Sequence, residues 1–282
     1  MATSDSSPCY LCDNGSLRPE STLSLRRVAA ALAARTGRRV VPVSLLHSDK
    51  VPAEKLGGEP AVLLEQALQA HFAAEPDGAV SLLPLFFGPS AALTEYIPDR
   101  LRALRAVHSQ ACVRLAPWLV DVTSPDRRVA GMLADQVRGV ARAAGWTRPA
   151  VLLVDHGSPQ RGVTAVRDHL AEQLRAELGD RVTAVGAASM ERRAGAAYAF
   201  NDPLLATALR TAPFDRGEVV VALQFLAPGR HAGAGGDIAE ICRAAEAERP
   251  VLRTRMTEPL AAEAGLVEVL ADRLGATREP AE

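Results

Sequence analysis

Lysine is almost missing. Lys50 and Lys55 are the two in 282 residues, so thirty arginines supply nearly all of the positive charge. With the abundant alanine this reads as the coding bias of a GC-rich genome, and it inflates every apparent arginine cluster. An excess of either sign is also missing, with Lys and Arg numbering 32 against 33 Asp and Glu, which argues against nucleic acid or a membrane surface as partner and favours a small molecule. No uninterrupted apolar run approaches the roughly 18 residues of a membrane span, and the opening MATSDSSP has neither a basic n-region nor an apolar h-region. A soluble cytoplasmic protein, monomer or homodimer, is expected. Cysteine is scarce, at four residues without the spacing of a disulfide framework, and a cytoplasmic location keeps them reduced. The length suggests two modest domains, either large enough to bury a core.

What the chain does contain is a repeat of itself. CYLCDNGS (9 to 16) lies over VLLVDHGS (151 to 158) so that Leu11 meets Leu153, Asp13 meets Asp155, Gly15 meets Gly157 and Ser16 meets Ser158, all 142 positions apart. Held at that spacing, VPVSLLHSD falls on TAVGAASME with Asp49 opposite Glu191, and Pro117 falls on Pro259. LLPLFFGPSAALTEYIPDRLRAL corresponds to ALQFLAPGRHAGAGGDIAEICRAA, the second loop being about two residues longer. Two copies of one unit are expected, residues 1–143 and 144–282. In this frame Cys9 and Cys12 stand opposite Val151 and Val154, inside a strand, so the Cys-x-x-Cys pair reads as an apolar substitution rather than a metal knuckle.

Each copy alternates short apolar runs with amphipathic segments. VTAVRDHLAEQLRAEL carries Val163, Val166, Leu170 and Leu174 near helical spacing. VTAVGAA and EVVVALQFLA read as strands, PLLATALRTA as a helix, and further helices begin at Asp237 and at LVEVLADRLG, with a strand near VLRTRM. Short strands alternating with helices predict an α/β fold of parallel sheets covered on both faces. In such sheets ligands bind beyond the carboxyl ends of the strands.

His156 and His231 each end a strand in a glycine-containing loop, and Glu191 follows a third strand. Two imidazoles and a carboxylate at one crevice suit a borderline divalent ion such as Co2+, Ni2+, Fe2+ or Zn2+. Asp155 is a candidate to support them, or a structural turn residue, since Asp13 occupies the same place in the copy without the histidine. His47, His71, His108 and His169 have neighbours that suggest surface or helix positions. APGRHAGAGGD lacks both the G-x-x-x-x-G-K-[ST] and the dinucleotide pattern, and no G-x-S-x-G elbow accompanies Ser158.

VLLVDHGS, ASMER and FLAPGRHAGAGGDIAEI, followed by TEPLAAEAGLVEVLADRL, resemble the sirohydrochlorin chelatases, the metal-inserting enzymes of sirohaem and cobalamin synthesis. The resemblance spans essentially the whole chain, the first copy showing the same frame in weaker form. It implies two similar lobes, each a parallel four-stranded sheet flanked by helices, facing one another across a tetrapyrrole cleft. It carries His156, His231 and Glu191 over as metal ligands and catalytic residues. The histidines lie only in the second copy, with Asn14 in place of His156 and Pro89, Ser90 and Ala91 where His231 would be. That arrangement is more like the anaerobic cobalt chelatases and the protohaem ferrochelatases. The family's Leu-Gly-x-His-Pro segment reads Leu260-Ala-Ala-Glu-Ala here.

The implied activity is insertion of Co2+ or Fe2+, or of Ni2+, into sirohydrochlorin or a related tetrapyrrole, with the metal as substrate and no organic cofactor. Insertion strips water from the metal and takes two protons from pyrrole nitrogens, and a neutral imidazole serves as ligand or as base. The carboxylates of such a macrocycle make Arg161, Arg192, Arg193 and Arg230, with Ser158, candidate substrate contacts. Two other readings stand beside this one: a metal or tetrapyrrole carrier without turnover, and an enzyme acting on another metal-binding small molecule.

Overall fold

The structure, a computed structural model, describes residues 7–233 and 235–277. The first six residues, part of the stretch in which no leader is read, lie outside these, as does Ala234 of the Gly-rich loop. The elements run β1 (Cys9–Asp13), α1 (Pro19–Thr36), β2 (Val40–Ser44), α2 (Leu64–Ala74), β3 (Ala79–Pro84), α3 (Ile97–Val107), β4 (Cys112–Leu115), α4 (Arg128–Ala144), β5 (Ala150–Asp155), α5 (Arg161–Leu178), β6 (Ala184–Ser189), α6 (Leu205–Ala208), β7 (Gly217–Leu223), α7 (Asp237–Glu248), β8 (Leu252–Met256) and α8 (Gly265–Gly275). Two four-stranded sheets form, ordered β2-β1-β3-β4 and β6-β5-β7-β8, with every pairing parallel. The same order twice is the duplication expected from the sequence. Among the described residues no helix is long and apolar enough to cross a membrane.

Central strands covered by helices on both faces must be apolar throughout, which is why VLLV is fully buried from Val151 to Val154. Its counterpart in β1 keeps that burial with Cys9 and Cys12, both completely inaccessible. Three residues apart on one strand, the two thiols point to opposite faces of the sheet and cannot meet at one ion. Burial pushes the Cys9 thiol up to about 12 and Cys12 well above the ordinary thiol value, and neither is in a disulfide. Both are small apolar fillers, inert as nucleophiles. PLLATALRTA is helical only over Leu205–Ala208, whereas the helix at the same place in the first copy, α2, runs eleven residues.

The chain divides into two compact units, Met1–Leu119 with Ala264–Glu282, and Val120–Glu263. The repeat and the compact unit therefore differ by one helix. The last helix of the first copy, α4, packs on α5 and β7, and the last helix of the second copy, α8, packs on α1 and β3. Within its unit α8 is anchored by Arg273, whose guanidinium donates to the carbonyls of Trp118 and Leu119 at 3.1 and 2.8 Å. Within the other unit the approach to α4 is held by Gln173 Nε2 on the Asp126 carbonyl, 3.2 Å.

Sheet register corrects two pairings drawn at constant spacing. Asp13 pairs with Ser44 as Asp155 pairs with Ser189. Just beyond, the Leu46 N–H donates to the Asn14 carbonyl as the Glu191 N–H donates to that of His156. Leu46, not Asp49, is thus the counterpart of Glu191. Likewise the Leu119 N–H reaches the Phe86 carbonyl as the Leu260 N–H reaches that of Phe225, which sets Trp118, not Pro117, against Pro259. The spacing drifts because the turns joining equivalent strands differ in length.

Asp13 survives in a lobe that has neither histidine nor a basic group beside it. Burial raises its carboxyl from the ordinary value to about 6, and hydrogen bonds from Ser44 and the Gly15 N–H offset only part of that. A shift of that size corresponds to about 3 kcal/mol. Because the folded value is raised, the contribution is fully present below pH 4 and is lost as pH climbs through 6. Denaturant unfolding of wild type and Asp13→Asn between pH 4 and pH 7.5 should therefore show the variant gaining on wild type by up to about 3 kcal/mol; a pH-independent difference would exclude a strained Asp13 carboxylate.

Candidate metal-handling site

At the end of β5 the chain turns through His156, Gly157 and Ser158. Gly157 holds φ at 89°, and a Cβ there would lie 1.9 Å from the Glu191 carbonyl oxygen, so only glycine lets this turn rest on the chain leaving β6. The Met190 and Glu191 N–H groups continue the ladder onto the Asp155 and His156 carbonyls at 2.8 and 3.1 Å. Two side chains distant in sequence are thereby set side by side, His156 Nε2 standing 3.5 Å from Glu191 Oε1.

The third group comes from the loop after β7. That loop folds back over the start of α7, the Ile238 N–H meeting the His231 carbonyl at 3.3 Å and the Asp237 N–H that of Arg230 at 3.2 Å. Gly236 is required there, since a Cβ would be 2.7 Å from the His231 carbonyl oxygen. The closure presents His231 edge-on to His156, ring centroids 4.7 Å apart at 66°. The three residues expected from the sequence to act together thus meet within one compact unit.

Hydrogen bonding fixes how the rings face one another. His156 Nδ1 lies 3.0 Å from the Gly157 carbonyl and His231 Nδ1 lies 2.7 Å from Asp237 Oδ2. A carbonyl or a carboxylate only accepts, so in this geometry each Nδ1 carries a proton, and in the neutral form of each ring Nε2 is the nitrogen with the lone pair. Glu191 is well exposed, its side chain 62% accessible, and His156 is about half exposed. Among the described residues no group of three or more His, Cys, Asp or Glu side chains is already arranged to hold a metal ion. The arrangement is an open pair of imidazoles with an exposed carboxylate beside it.

Under the site lies a polar layer of which Asp155 alone was expected from the sequence. Asp155 accepts from Ser189 Oγ at 2.6 Å, and Ser189 accepts from the buried Arg167 at 2.7 Å. Arg167 also donates to the Asn201 carbonyl, 2.8 Å. Asn201, fully buried, clamps the backbone of Ser158 through both ends of its amide, at 2.9 Å each. Burial pushes the Asp155 carboxyl up, while the Ser189 hydroxyl and the Arg167 guanidinium pull it back. Gln224, the residue after β7, is buried too, and its Oε1 and Asp155 Oδ2 have no partner among the described residues. The first lobe keeps the Asp13 and Ser44 pair but has Leu25 where Arg167 stands and Leu85 where Gln224 stands. A charged residue on the buried face of the α5 pattern was the available signal for Arg167.

The candidate substrate contacts fall into two groups. Ser158 Oγ accepts from the Gln160 N–H as Ser16 Oγ accepts from the Arg18 N–H, a turn role common to both lobes. Arg192 is engaged by Asp202 at 2.8 Å and by two backbone carbonyls. Arg161 lies over the Phe200 ring and Arg193 over Tyr198, at 4.6 and 5.8 Å, positions that leave N–H groups for a ligand. Arg230 is 76% exposed, 3.7 Å from Asp237. Elsewhere His71 stacks edge-on to Tyr10 and Phe72, and His169 contacts Gln173. Leu260, in the segment lacking the family histidine, is fully buried and bound through its N–H to Phe225.

Residues 150–277 match the model of the CbiX family. That match falls on the second lobe alone. Solved structures extend the likeness in fold to the whole chain. SirB from Bacillus subtilis, determined with Fe3+, covers 95% of this chain and 94% of its own at 13% identity and a TM-score of 0.66. The sirohydrochlorin chelatase SirB from Bacillus subtilis subspecies spizizenii, in complex with cobalt, gives the same values. CbiX, the terminal enzyme for biosynthesis of siroheme in denitrifying bacteria, covers 96% of this chain and 98% of its own at 16% identity and a TM-score of 0.60. No curated protein matches by sequence. The resemblance to sirohydrochlorin chelatases drawn from the motifs is thus borne out, the CbiX match falling on the lobe that carries both histidines.

Gly157→Ala tests whether the turn geometry brings His156 to Glu191. The new methyl meets the Glu191 carbonyl at a positive φ, and the variant should lose well over about 1 kcal/mol of stability in denaturant melts; a neutral effect would show that the two backbones are not held in contact.

Proposed function

We propose that the protein inserts a divalent metal into a tetrapyrrole, with sirohydrochlorin or a close relative as macrocycle and Co2+ or Fe2+ as the first metals to test, Ni2+ after them. The observation that carries this reading is the pair of imidazoles 4.7 Å apart with both Nδ1 atoms engaged, which in the neutral rings leaves Nε2 as the donor to a metal. The match of the second lobe to the CbiX family model supports it, as do solved relatives of the same fold that hold Fe3+ or cobalt.

On this reading the metal is a substrate that arrives hydrated and leaves in the macrocycle. Nε2 of His156 and of His231 displace water from the ion and hold it briefly. A structural metal site would enclose its ion with four protein ligands; an open pair releases it. As the metal enters the ring, two pyrrole N–H protons must go to an acceptor. Glu191, beside His156 and exposed, accepts one and passes it to solvent, and an imidazole freed of the metal accepts the other. Exposed Arg193 and Arg230, with Arg161, are the guanidinium groups placed to meet ring carboxylates. The first lobe, with Asn14 and Leu46 at the equivalent positions, supplies no acceptor of this kind.

Anaerobic incubation of sirohydrochlorin with Co2+, Fe2+ and Ni2+, followed by absorbance, should show metal-dependent conversion by the wild type. His156→Ala/His231→Ala should lose at least about 100-fold in rate. Equal rates for the two proteins would sink the assignment, and tight stoichiometric metal retention without conversion would point to a carrier.

A further inference from the structure

We propose that Asp237 is a positioning residue of this site, holding His231 as its Nδ1–H tautomer and so aiming the Nε2 lone pair at the metal; the inference rests on the chelatase reading above. His231 Nδ1 meets Asp237 Oδ2 at 2.7 Å, the shortest approach made by either site imidazole. The two residues are held to one another by backbone as well. Asp237 opens α7 at the point where the Asp237 and Ile238 N–H groups bind the Arg230 and His231 carbonyls, and Gly236 fits against the His231 carbonyl with no room for a side chain. The closure therefore sets the carboxylate before any ligand arrives.

The two imidazoles are thereby unequal. His156 leans on a neutral carbonyl, His231 on a carboxylate that also faces the Arg230 guanidinium at 3.7 Å on the same oxygen. A hydrogen bond to an ionised acceptor is stronger and makes the imidazole a better donor to a metal, the arrangement that ligating histidines commonly use. Without it the ring is free to adopt the Nε2–H form that imidazole side chains prefer in solution, which places a proton where the metal must bind. A rival role exists, since an acid in the first turn of a helix favours that helix through its dipole. It makes no demand on the His231 tautomer.

Two-bond 1H–15N correlation of histidine-labelled full-length protein reads the tautomer directly, and a Co2+ titration followed by visible absorbance reads the metal. In the wild type His231 should be protonated at Nδ1. In Asp237→Ala the Nε2–H form should appear, His156 should be unchanged, and Co2+ should bind 10- to 100-fold more weakly, with the far-ultraviolet circular dichroism of the wild type. Nε2–H at His231 in the wild type, or unchanged tautomer and Co2+ affinity in Asp237→Ala, would overturn the proposal. A tautomer that shifts in the variant while the wild type inserts no metal would uphold Asp237 and count against the chelatase reading.

Discussion

The site depends on one close approach between two backbones. Gly157 lies against the Glu191 carbonyl so tightly that a methyl group would sit at 1.9 Å, and in the first lobe Gly15 lies against the Leu46 carbonyl in the same way, at 1.8 Å. This contact carries the parallel ladder past the ends of the strands. It is why the residue after β5 and the second residue after β6 come to face one another in both halves of the chain. The scaffold is duplicated faithfully; the chemistry is not. Asn14 and Leu46 occupy the places of His156 and Glu191, so one lobe presents an imidazole and a carboxylate where the other presents an amide and an alkyl chain.

That asymmetry continues below the surface. Beneath the histidines the second lobe buries Asp155, Ser189, Arg167, Asn201 and Gln224, while the first has leucines at the positions of Arg167 and Gln224. Buried ion pairs seldom stabilise a fold as well as apolar residues of the same volume, because desolvation offsets their attraction. The leucines of the first lobe are the expected outcome where stability alone decides. Retention of a guanidinium and two amides under the histidine-bearing loop points instead to positioning: Asn201 clamps the Ser158 backbone two residues from His156, and Ser189, held by Arg167, stands two residues before Glu191.

The sequence was legible where physical constraint is local. Apolar runs bounded by Gly and Ser located the strands, the period of VTAVRDHLAEQL located α5, and Gly157 of HGS and Gly236 of AGAGGD stand where a side chain has no room. It was less legible where constraint is tertiary. Constant spacing misplaced Asp49 and Pro117 because turn length between equivalent strands is free to vary once the strands themselves are paired. The packing of α4 and α8 with the other repeat's sheet left no mark on their amphipathic pattern, since either sheet offers an apolar face. Asp237 gives no sign of its role in sequence, because a carboxylate six residues from a histidine becomes its partner only through the fold of the loop that joins them.

On the proposed reading the site must bind its metal strongly enough to strip water and weakly enough to let go, and the geometry bears on that balance. Three ordered anionic ligands would favour retention; here the protein offers two imidazoles and one carboxylate left largely in solvent. A further carboxylate stands one hydrogen bond out, on Asp237 behind His231, where it can orient that imidazole without joining the ion's coordination shell. On that same reading the guanidinium groups of Arg230 and Arg193 repel the free dication and attract an anionic macrocycle, and a macrocycle already in place neutralises them, so that metal capture and substrate capture would reinforce one another through charge.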